Sequence, residues 1–166
     1  MLAESRKLFP GELATPGEIR LLADEYRKAA HLLQRLGRTG EPLSRAPFRL
    51  AAIHAIELYL NALLLHRGYA PSEIRRMQHD LAQRTGLAIA CGLRLRSRTA
   101  VHLNALAENR EYLVTRYGPE ISGTISRINR LEATLDEVAR KVTKVLEVQR
   151  AGSLGGGPNG FVHRQA

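Results

Sequence analysis

The chain has 166 residues, 44% of them hydrophobic and 25% charged, which is enough to bury one sizeable core and too apolar for an intrinsically disordered segment. Its 25 Lys+Arg against 16 Asp+Glu give a net charge of +9, the electrostatic footprint of a nucleic-acid binder. Aromatics make up only 5%, without tryptophan, so the core falls to Leu, Ala, Ile and Val, a palette that favours helices; the single cysteine, Cys91, excludes an internal disulfide and fits a reducing cytoplasm.

Residues 1–15 read as a loose leader, with no signal-type apolar stretch, so a cytoplasmic protein is expected. Thr15-Pro16 then reads as an N-cap and first helical position, with Glu18 in the first turn. Ile19, Leu22, Ala23, Tyr26, Ala30, Leu33 and Leu36 recur at helical spacing, and Gly37 and Gly40-Glu41-Pro42 stop the helix. A second helix runs from about Ser44–Pro47 to His66, apolar nearly all round, which places it at the centre of a bundle or against a second subunit. Its longest apolar run, Leu58–Leu65, is interrupted by Asn61 and is too short to span a membrane.

Pro71-Ser72-Glu73 opens a third helix carrying Ile74, Met77, Leu81 and Leu87. A fourth starts around Arg96–Thr99 and runs through Val101, Leu103, Leu106, Leu113 and Val114 to the stop at Tyr117-Gly118-Pro119. The last carries Ile121, Ile125, Ile128, Leu131, Leu135, Val138, Val142 and Val145 at alternating fours and threes. Its outer face is basic, with Arg127, Arg130, Arg140, Lys141, Lys144 and Arg150. Residues 151–166 form a Gly-rich tail of flexible composition. The expectation is an all-α protein: one domain over 16–150, built as an up-and-down bundle of four to five helices.

The histidines show no metal-ligand spacing and no Cys-x-x-Cys exists, so no metal or other cofactor is expected. The one Gly cluster, Gly155–Gly157, lacks the Lys and Ser/Thr of a phosphate loop. Leu81–Leu87, followed by Arg94, Arg96 and Arg98, is patterned like the start of a helix-turn-helix, with Gly86 in the turn. A recognition helix would then begin at the apolar Ala88–Gly92, where base readout needs polar side chains.

The strongest local pattern spans two helices. The stretch from Ala55 to Gly68, with Glu57 inside an apolar helix, is followed by His79-Asp80-Leu81, and Leu106–Pro119 closes on Arg116-Tyr117-Gly118-Pro119. Over roughly residues 45–145 this resembles the HEPN family, named for nucleotide binding in higher eukaryotes and prokaryotes. The resemblance implies a helical bundle that pairs into a homodimer. It also implies an RNA or nucleotide ligand, a toxin–antitoxin or defence setting, and in some members a nucleotidyltransferase partner.

Nuclease members carry Arg, four to six residues, then His in the late helix, with His as acid/base and Arg on the phosphate charge. Here Arg110 is followed by Glu111–Tyr117 without a histidine, and Asn61 stands where a lysine is common. Arg96 and His102, five residues apart in the count between them, and Arg49 and His54 meet the spacing elsewhere. The candidate catalytic pair is therefore Arg96 and His102, with Arg110 assisting. The candidate ligand contacts are Glu57, His79, Asp80, Arg110, Arg116 and Tyr117. Against these stands a structural role, since buried charges are paired whether or not they catalyse. The readings carried forward are a HEPN-like binding module that is non-catalytic or weakly so, a metal-independent ribonuclease, a DNA-binding regulator through Thr85–Arg98, and a plain dimerising protein.

Overall fold

The structure, a computed structural model, describes residues 8–153, with side chains through Val148. Among the described residues there are seven α-helices and no strand: α1 Pro16–Gln34, α2 Ala46–His66, α3 Pro71–Arg76, α4 Leu81–Ala90, α5 Ser97–Glu108, α6 Glu111–Tyr117 and α7 Ile128–Ser153. The all-α expectation holds, while two of the five expected helices are each broken in two and the last begins later. The tail from residue 154 onward lies outside the described residues.

α1 starts on a reciprocal cap: the Glu18 amide donates to Thr15 Oγ1 at 3.2 Å, and the Thr15 amide donates to Glu18 Oε2 at 2.8 Å. Ala23 and Ala30 are completely buried on its inner face, so the helix lies close against α2. The described part of the leader is not loose. Glu12 pairs with Arg75 at 2.5 Å and the Arg75 guanidinium sits 4.5 Å over the Phe9 ring, tying this segment to α3.

α2 is the hub, packed against α1, α3, α4, α6 and α7. Fourteen of its 21 residues are buried, which explains the absence of a polar stripe in its sequence. By length and composition Pro42–His66, with mean hydropathy 1.4, could cross a membrane, but 78% of that window is buried inside the protein. Tyr59 is fully buried in α2 and donates its hydroxyl to Asp24 of α1 at 2.5 Å. Burial and that carboxylate together push the phenol pKa up, so it stays a donor.

The third expected helix breaks at Met77–Asp80. Gln78 takes a left-handed φ of 47°, and Asp80 restarts the chain as an N-cap, its Oδ1 accepting from the Gln83 amide at 2.9 Å. The fourth breaks at Arg110, φ 50°, between α5 and α6. A wholly buried carboxylate, Glu111, anchors this second elbow. It accepts from the Ser126 amide at 2.8 Å and the Ser126 hydroxyl at 3.1 Å, and it faces the buried Arg49 guanidinium at 3.4 Å. Arg49 also donates to the Ser126 carbonyl. The segment 122–126 is thereby pinned as loop, and α7 starts only at Ile128, past the Ile121 and Ile125 that fit its periodicity.

α7 reaches the rest of the protein through polar as well as apolar contacts. Arg27 pairs with Asp136 at 2.8 Å and Gln34 donates to Glu132 at 2.8 Å, linking α1 to α7. The buried Glu137 accepts from the Arg96 amide at 2.8 Å, from Thr99 Oγ1 at 2.5 Å and from Lys141 Nζ at 2.5 Å. It thus caps the amino end of α5 from another helix. Burial alone would raise its pKa; the bonds from Lys141, Thr99 and Arg96 overcome that and hold it at about 2.

Candidate functional site

The two helix breaks face one cleft. Its volume is about 390 Å³, and Gln78, His79 and Asp80 line one side while Glu108, Arg110 and Tyr112 line the other. Gln78 and Arg110 are the only non-glycine residues with positive φ among the described residues, and both lie on this cleft. Left-handed backbone costs an L-residue about 1–2 kcal/mol, and such positions concentrate at functional sites.

The side chains are held from behind. His79 Nδ1 lies 3.0 Å from Glu57 Oε2 on α2. A carboxylate only accepts, so Nδ1 carries the proton and Nε2 is left free. The imidazole also stacks at a tilt on Tyr112, with ring centroids 4.9 Å apart. Glu57 is in turn 3.6 Å from the Arg84 guanidinium, which is almost completely buried. Arg84 donates to Asn61 Oδ1 at 2.7 Å and to the carbonyls of Ile74, Met77 and Asp80 at 3.3, 3.4 and 3.2 Å. The same carbonyls also accept the backbone amides of Met77, Asp80 and Arg84 respectively, so the guanidinium is an added donor that clamps the turn from inside, with Asn61 as its side-chain acceptor.

Of the candidate ligand residues, His79, Asp80 and Arg110 line this cleft, and Glu57 stands behind it orienting His79. Arg116 lies elsewhere, on an apolar recess of about 350 Å³ with Tyr26, Leu50 and His54. Burial depresses the pKa of His54; Glu57 opposes this and Arg116 adds to it. Tyr117 is 75% exposed. Tyr112, Gln78 and Glu108 complete the cleft and carried no signal in the sequence beyond lying near the two breaks.

Arg96 and His102 do not form a surface pair. His102 is buried, its Nδ1 2.8 Å from Thr134 Oγ1 and its Nε2 buried without a partner, whereas Arg96 is exposed at the start of α5. Burial, helped by the nearby Arg130 and Arg49, lowers the His102 pKa to about 4, so the ring is neutral and inside the core. Its folded pKa lies below the ordinary 6.5, so stability is fully present above pH 6.5 and lost as pH falls from 6.5 to about 4. The melting temperature is expected to fall over that window, and a His102→Gln variant should show a shallower fall in thermal scans.

The helix-turn-helix geometry is also absent. Leu81–Ala90 is one helix running through Gly86, and Ala88, where a recognition helix would begin, is completely buried near its carboxyl end. Cys91 caps that end, half-buried and free. Among the described residues no group of three His, Cys, Asp or Glu side chains is placed to hold a metal ion. Comparison of the chain with family models, curated proteins and solved structures gives no match.

Proposed function

We propose that this protein is a HEPN-like helical module that binds single-stranded RNA or a nucleotide in the cleft between the α3–α4 and α5–α6 breaks. The observation that carries the reading is the convergence there of two left-handed residues, an aromatic ring and a histidine oriented by a carboxylate. Sequence-specific RNA binding uses unstacked bases laid on aromatic or guanidinium planes and hydrogen-bonded along their edges. Tyr112 and His79 supply such planes, and Arg110, Gln78 and Asp80 supply donors and acceptors. The cleft holds one arginine against Asp80 and Glu108, so it suits a base and ribose better than a phosphate. The net charge of +9 provides the long-range attraction to a polyanion.

The partners that go with this reading are a second copy of the chain and, in a toxin–antitoxin or defence setting, a nucleotidyltransferase. Leu22, Tyr26, Leu36 and Leu43 are exposed apolar side chains available to such contacts.

Arg110→Gly separates binding from folding. Glycine adopts positive φ freely, so the variant should be as stable as the parent or more so, by up to about 1 kcal/mol. It should nevertheless bind a fluorescein-labelled single-stranded RNA about tenfold more weakly in an anisotropy titration, the loss of one good charged contact. Unchanged affinity in a stably folded Arg110→Gly protein would refute the cleft as the ligand site.

A further inference from the structure

Four arginines meet at a second cavity, built by the loops that join α1 to α2 and α6 to α7. Its volume is about 360 Å³, and Arg38, Arg45, Arg49 and Arg127 line it with Glu41 as the only carboxylate among its lining residues. Two of the four are matched by carboxylates of the protein. Arg38 pairs with Glu41 at 2.6 Å, and Arg49 with Glu111 at 3.4 Å. Arg45 and Arg127 have no carboxylate partner among the described residues.

Arg45 is placed rather than merely exposed. A Cβ at Gly37 would stand 2.6 Å from its Nη1, so the missing side chain at Gly37 makes the room in which the guanidinium lies. It is half-buried and close enough to Arg49 for the two like charges to oppose each other. No acidic residue stands in the first turn of α7, which opens on the same cavity at Ile128. Two guanidiniums without counter-charge are thus gathered around a space large enough for a tetrahedral oxyanion and water.

We propose that this cavity binds a phosphate dianion, either inorganic phosphate or the terminal phosphate of a nucleotide or RNA strand. A phosphomonoester carries close to two negative charges at neutral pH, the charge left uncompensated by Arg45 and Arg127. Guanidinium forks match phosphate oxygens bidentately, and Arg rather than Lys is the residue such geometry selects. A backbone phosphodiester, with one charge, leaves one guanidinium unmatched. The terminal-phosphate source rests on the RNA reading above, whereas the site for inorganic phosphate does not.

Thermal melts in sodium phosphate and in sodium chloride of equal ionic strength test the site first. Phosphate should raise the melting temperature of the parent protein above its value in chloride, and the rise should vanish in an Arg45→Gln/Arg127→Gln protein. Arg127→Gln alone, at an exposed position, should fold normally and weaken phosphate binding about tenfold. No phosphate-specific rise in the parent, or the same rise in the double variant, would overturn the proposal. The source is read from one RNA sequence made with a 5′-phosphate and with a 5′-hydroxyl. About tenfold tighter binding of the phosphorylated strand, lost in the double variant, identifies the strand end as ligand. Equal binding of both strands, with the phosphate rise intact, identifies free phosphate and leaves the site standing apart from the RNA reading.

Discussion

Glu111→Ala is expected to destabilise the protein by about 3–5 kcal/mol, the cost of leaving a buried charge without its counter-ion. Arg49 is 7% exposed and Glu111 not at all, so neither can turn to water when the other is removed. The carboxylate also holds the Ser126 amide and hydroxyl, and those donors would be orphaned with it. Glu111→Gln should cost less, because an amide oxygen can still accept from Ser126. An Arg49→Met/Glu111→Leu double variant should be far milder than Glu111→Ala, since paired apolar replacement removes both desolvation costs. Urea denaturation midpoints of the four proteins check this ordering. A double variant as unstable as the single one would show that the pair contributes shape rather than charge balance.

Arg84→Met should cost about 3 kcal/mol or more, and its effect should be local as well as global. The guanidinium is 2% exposed and serves Asn61 and the carbonyls of Ile74, Met77 and Asp80. Methionine replaces much of the volume but none of these donors, and it leaves Glu57 paired with His79 alone. The α3–α4 turn, with Gln78 in its left-handed conformation, loses the guanidinium that clamps its carbonyls. Hydrogen exchange followed by mass spectrometry should show faster exchange of residues 74–80 than of α7 in this variant. Uniform acceleration across the chain would mean that Arg84 supports the whole core and not this turn in particular.

The parts of the fold that were legible are those in which local sequence and tertiary packing agree. α1 carries its cap in Thr15-Pro16 and buries Ala23 and Ala30 of its expected stripe, although Leu22, Tyr26 and Leu36 of that stripe are exposed, and α2 announces a central place by having almost no polar face. The break between α3 and α4 was hidden because Ile74, Met77 and Leu81 keep helical spacing across it. The signal present was Asp80 three residues before Gln83, a capping pattern that periodicity overrode. The break at Arg110 had no local signal: no glycine or proline stands there. It follows from burying Glu111 against Arg49, 62 residues away in sequence. The same pair delays α7 to Ile128, so three boundaries depend on contacts that no window of sequence contains.

The candidate site shows the same division. Glu57, His79 and Asp80 stand out by residue type, while Tyr112 and Gln78 gain meaning only once the two breaks turn toward each other. His102 satisfied a spacing rule and lies in the core, because a run of Arg and His along a sequence says nothing about which way the imidazole faces. Arg45 and Arg127 are far apart in the chain and are joined only by the loops at one end of the protein.

The most direct measurement is photo-crosslinking of the purified protein to single-stranded RNA containing 4-thiouridine, with the adducts mapped by mass spectrometry. A base held in the cleft lies against Tyr112, His79 and Arg110, so adducts should fall within residues 77–82 and 107–112 and diminish in Arg110→Gly. Adducts confined to the exposed basic side chains of α7, such as Arg140 and Lys144, with none at those two segments, would contradict the account.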